Sequence, residues 1–100
     1  MNKLKDIQPR SIKELLQLLL IYIDLIPELP RNMLGLCGLA YHLHFIGKIT
    51  ETEHDIIYQY IDNNKPINFH TVFIRDDFYW ERGLKEPRIK WLKKHIKLNS

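Results

Sequence analysis

The chain's most versatile side chains for chemistry or recognition gather late, where Phe78, Tyr79 and Trp80 follow the acidic pair Asp76 and Asp77 and lead on to Arg82, Arg88 and Trp91. Aromatic rings can stack on a base, and arginine forks can hold phosphate, as nucleotide and single-strand binders do. Interface energy also concentrates in Trp, Tyr and Arg. Phe78, Tyr79, Trp80, Arg82, Arg88 and Trp91 are therefore the candidate binding surface, with Pro87 fixing how the loop meets the helix after it. In the competing reading Trp80 and Trp91 belong to the core and Arg88 pairs with an acid, because aromatic rings dominate core area in small domains.

No reaction follows from the remaining candidates. His42 and His44 are two apart on an expected helix and point ~160° away from one another, so they cannot grip one ion together. His54 and His70 could join one of them only by tertiary accident, and no ligand spacing recommends it. Cys37, between Leu36 and Gly38 in an apolar stretch, reads as a small buried hydrophobe, with nothing beside it to lower a thiol pKa. Asp76 and Asp77 suit a turn or a helix cap better than acid–base work. There is no phosphate-cradling glycine loop, and neither a catalytic site, a metal nor a cofactor is expected.

These residues need elements to position them. The capping box Ser11 with Glu14 opens a first helix over 11–26, apolar on nearly every side except the stripe of Lys13, Gln17 and Asp24. Pro27 and Pro30 end it. A second helix over 33–46, capped by Asn32, is punctuated by Gly35 and Gly38, where a neighbouring backbone could approach, and is closed by Gly47 in a left-handed position. Thr50 with Glu53 forms a second capping box for a helix over 51–63, and the last helix runs over 87–97. The stretch 67–80, rich in β-branched and aromatic residues, is either a short strand or irregular. The fold class is thus mainly α: a compact four-helix single domain over 11–98 preceded by a flexible arm, 1–10. Its expected core is Leu15, Leu19, Leu36, Leu39, Leu43, Ile57, Ile61, Leu92 and Ile96.

Composition bounds the rest. One hundred residues, 45% hydrophobic and 27% charged, make ordinary globular composition. A single cysteine allows no internal disulfide and fits a reducing cytoplasm. No apolar signal core opens the sequence, and the run from Leu15 to Ile26 is too short to span a bilayer, so no membrane is expected. The net charge of +3 is unevenly placed: residues 85–100 hold six basic side chains against Glu86, and the rest of the chain is slightly acidic. Lys90, Lys93, Lys94 and Lys97 of the last helix are the candidate nucleic-acid contacts. The apolar circumference of helix 11–26 exceeds what one small core should cover, which points to a homo-oligomer, a dimer by default.

Gly35-Leu36-Cys37, the Ile49-Thr50-x-x-Glu53 helix start, Tyr79-Trp80-x-x-Gly83 and Pro87-Arg88-Ile89-x-Trp91-Leu92 together resemble small uncharacterised proteins of tailed bacteriophages and mobile elements, over roughly residues 33–96. The resemblance implies a context, action on a host by blocking an immune protein or capturing a nucleotide signal in the host cytoplasm, and it transfers no role to any residue. The expectation is a non-enzymatic binding or inhibitory protein engaging a host protein or a small nucleotide, with nucleic-acid binding through the last helix as the alternative.

Overall fold

In a computed structural model, residues 8–28, 35–64 and 85–100 are described. They form four α-helices and one short 3-10 helix, with no strand among the described residues. Helix α1 spans Ile12–Ile21 and starts as its capping box dictates: the Glu14 amide donates to Ser11 Oγ at 3.2 Å and the Ser11 amide to Glu14 Oε1 at 3.1 Å. It is shorter than the 11–26 expected. The backbone tightens after Tyr22 into a 3-10 helix, Ile23–Glu28, with Leu25 N donating to Tyr22 O at 2.9 Å. Proline is the reason, since Pro27 offers no amide and disfavours α geometry at Ile26.

Helix α2, Leu36–Phe45, also starts later than the 33–46 expected. Its N-cap is Gly35 with φ 102°, a region that L side chains avoid, so this glycine serves the chain's entry into the helix. Asn32, the expected cap, lies outside the described residues. At the other end Gly47, φ 83°, sits where a left-handed residue was expected: its amide donates to His44 O at 3.1 Å and that of Lys48 to Leu43 O at 2.8 Å, the paired bonds of a Schellman turn. That turn brings α3, Glu51–Asn64, back beside α2. Helix α4, Lys85–Leu98, packs principally along α1, while α1 also touches α2 and α3.

The core lies where these helices meet. Leu15, Leu16, Leu19, Ile26, Leu36, Leu39, Leu43, Ile57, Ile61 and Leu92 are fully enclosed, and Ile96 is half-buried against them. Helix α1 spends most of its apolar circumference here, with Ile12, Leu18 and Leu20 partly covered and Ile21 left 71% exposed. No described helix is long and apolar enough to cross a membrane.

Candidate functional site

The residues singled out from the sequence do not stay together. Phe78, Tyr79, Trp80 and Arg82 lie outside the described residues, as do Asp76, Asp77 and His70. Arg88 and Trp91 are inside the protein rather than on its surface, at 0% and 8% exposure. Position on α4 explains both, because Arg88 lies four residues before Leu92 and Trp91 four before His95, on the side of the helix that turns toward α1 and α3. Burial pulls the Arg88 guanidinium down to about 10, so it remains charged at neutral pH. Lys90, Lys93, Lys94 and Lys97 are all exposed. Glu86, Ile89, Lys90 and Lys93 line an open groove of about 600 Å³ along the helix.

Trp91 belongs to a polar seam between α3 and α4. Its indole donates to Asn64 O at 3.2 Å, and its ring lies 4.2 Å from that of His95. The Asn99 side-chain amide donates to Tyr60 Oη at 2.9 Å and to His95 O at 2.7 Å. Tyr60 Oη sits 2.7 Å from His95 Nδ1. In the neutral imidazole that carries its proton on Nε2, the Tyr60 hydroxyl donates to Nδ1 while still accepting from Asn99. Burial first, and then Lys94, lower the His95 pKa and favour the same neutral form.

A second polar centre fixes the end of the N-terminal arm, signalled in the sequence only by an arginine just ahead of a capping box. Glu53 closes the box at the start of α3, accepting from the Thr50 amide at 2.9 Å while its own amide donates to Thr50 Oγ1 at 3.1 Å. The same carboxylate receives the Arg10 amide, Nε and Nη2, each at 2.9 Å, and Nη2 also donates to Lys48 O at 2.9 Å. Glu53 is only 2% exposed, and these bonds hold its carboxyl at about 2. Arg10 is thus tied down, while 1–7 lie outside the described residues.

Among the described residues, the largest group of exposed apolar side chains is on the α2–α3 hairpin, which holds none of the binding residues expected from the sequence. Tyr41, Phe45, Ile46 and Tyr58 are 49%, 76%, 44% and 52% exposed. The His54 ring lies at their centre, 6.0 Å edge-on from Tyr41, 5.8 Å from His44 and 6.5 Å from Tyr58. His54 Nδ1 is 3.3 Å from Asp55 Oδ1. Helical spacing assembles the face: Tyr41, His44 and Phe45 stand at i, i+3 and i+4 on α2, and Glu51, His54, Asp55, Tyr58 and Asp62 share one stripe of α3. The signal was available in the sequence, since the outward stripe of α2 carries Tyr41 and Phe45 where a solvated face would carry charge.

Among the described residues no three or more His, Cys, Asp or Glu side chains gather as a metal site would need. Cys37 is half-buried against the core. No known protein family, curated protein or solved structure matches the chain.

Proposed function

We propose that this is a non-enzymatic binding protein that engages another protein through the outer face of the α2–α3 hairpin, in the inhibitory manner of the small phage proteins its sequence resembles. The exposed Tyr41–Phe45–Ile46–Tyr58 face carries the reading. Apolar side chains scattered singly over a surface need no explanation, whereas a contiguous aromatic group on adjoining helices suits a partner. Tyrosine and phenylalanine supply rigid contact area at small entropic cost. A protein partner suits the chain better than a small nucleotide, because Arg88 and Trp91, two of the groups that would clasp one, are enclosed.

The test is to compare Phe45→Asp and Tyr58→Asp with wild type by cross-linking in the cells where the protein acts, with thermal unfolding alongside. The expected result is loss of the cross-linked protein with thermal midpoints unchanged within a few degrees. Cross-links that persist in both variants would move the working surface elsewhere.

A second reading has its own support in the four exposed lysines of α4, which suit a polyanion such as nucleic acid. Binding of that kind would fall steeply with added salt and weaken in Lys93→Ala and Lys97→Ala, while the hairpin variants would leave it untouched.

A further inference from the structure

Four lysines of α4 are spaced so that they act together. Lys90, Lys93, Lys94 and Lys97 stand at i, i+3, i+4 and i+7 and share one exposed stripe about 10 Å long, opposite the buried Arg88, Trp91, Leu92 and His95. None of the four ammonium groups has a hydrogen-bond or ion-pair partner among the described residues. Glu86, one turn before Lys90 on the same stripe, is the sole acid of α4 and pairs with none of them. Like charges at these spacings repel along a helix. The helix dipole offsets that repulsion for Lys97 in the last turn, but not for Lys90, Lys93 and Lys94 further in.

We propose that the α4 stripe binds double-stranded nucleic acid through its phosphates alone, without reading base sequence. The proposal rests on the nucleic-acid reading above and adds to it the form of nucleic acid and the mode of contact. Side-chain type selects both. Lysine is a compact point charge that suits a phosphate, whereas base edges are read chiefly by arginine forks and by amides. The stripe holds no arginine, asparagine or glutamine, and the one arginine of α4, Arg88, is enclosed. Single strands are held by stacking as well as by charge, and the rings of α4, Trp91 and His95, are turned inward. A duplex offers the denser row of phosphates instead. The same composition disfavours a protein partner, since interfaces are depleted in lysine and draw their energy from Trp, Tyr and Arg. A membrane surface would need an exposed apolar side, and α4 buries Leu92 and half-buries Ile89 and Ile96, leaving Leu98 exposed at its end.

The experiment titrates the full-length protein into fluorescent duplexes of about 20 base pairs, in two unrelated sequences, and into their separated strands, and follows anisotropy. The two duplexes should bind within about threefold of each other and more tightly than the single strands. Their binding should weaken about tenfold between about 50 mM and about 100 mM salt, the dependence expected of about four phosphate contacts. Lys93→Gln/Lys97→Gln should bind more weakly and cut that salt effect to about threefold, while melting within a few degrees of wild type. Phe45→Asp should bind as wild type does. A preference beyond about threefold for one sequence, or single strands bound as tightly as duplex, would overturn the phosphate-only mode and leave nucleic-acid binding standing. No binding to any of these at about 100 µM protein, or binding indifferent to Lys93→Gln/Lys97→Gln, would overturn both. Phosphatidylserine vesicles or polyglutamate bound as tightly as duplex would make the stripe a general cationic surface and would also overturn the proposal.

Discussion

Single residues show how far burial changes the meaning of a side chain. Arg88 reads from the sequence as a phosphate or carboxylate fork; enclosed beside Leu92, it is part of the interior. Arg88→Ala is therefore expected to melt early, at a cost of about 2–4 kcal/mol from lost packing, and not to behave as a surface change. Glu53 gives a pH signature. Its folded carboxyl titrates near 2 instead of 4.5, so on acidification the unfolded chain takes up the proton first. Its stabilisation is complete above about pH 4.5 and is lost as pH falls toward 2. The clamp should be worth about 2 kcal/mol once solvent screening of the 40%-exposed Arg10 side chain is allowed for. Urea unfolding across that range should show the loss in wild type and little of it in Glu53→Gln; parallel curves would refute the assignment. His95 acts in a separate window. Its pKa is lowered, first by burial and then by Lys94, so its contribution is present above about 6.5 and declines below it, and Lys94→Gln should blunt that decline in the same unfolding series.

At the level of elements, the hairpin has one buried face and one exposed aromatic face. Leu39 and Ile57 look inward, whereas Phe45 and Tyr58 look out. Leu39→Ala should cost about 2–5 kcal/mol in chemical denaturation, while Tyr58→Ala should cost less than about 1 kcal/mol. A comparable loss from both would mean that the outer face is not free in solution. Helix α1 shows why the element boundaries were less legible than the elements. Its apolar run continues to Ile26, and periodicity alone does not register that Pro27 acts backward on the preceding turn. Helix α2 began late for a related reason, since a glycine within an apolar run gives no outward sign of a positive φ until the chain's path is known.

For the whole molecule, strict spacing of Leu and Ile made the four helices and much of the core legible, since it sets which face turns inward, but Leu16, Ile23, Ile26, Ala40, Ile49 and Trp91 are buried as well and Ile96 is only half-buried. It did not reveal the exposed aromatic face of the hairpin. Residue type drew attention to Arg88 and Trp91, but type is silent on burial, and Arg10 meets Glu53 across 43 positions that no local pattern links. The dimer expected through helix 11–26 is now a question about exposed Ile21 and the partly buried Ile12, Leu18 and Leu20, since α4, α3 and α2 pack over the rest of α1. Sedimentation at micromolar concentration should therefore show a monomer, and Ile21→Lys should leave both mass and thermal midpoint unchanged. A dimer dissociated by Ile21→Lys would restore α1 as an interface.

The turn between α2 and α3 has a bearing on handedness. Gly47 holds φ at 83°, and a Cβ built there meets nothing within 4 Å, so any penalty for an L side chain is the backbone's own, free of crowding. Gly47→Ala should cost about 1 kcal/mol and Gly47→Asn less. Alanine of the opposite chirality, installed by chemical synthesis, would find that positive φ its natural basin and should raise the midpoint by narrowing the unfolded ensemble. The hairpin that carries the aromatic face would then be stiffened without altering a single atom of that face.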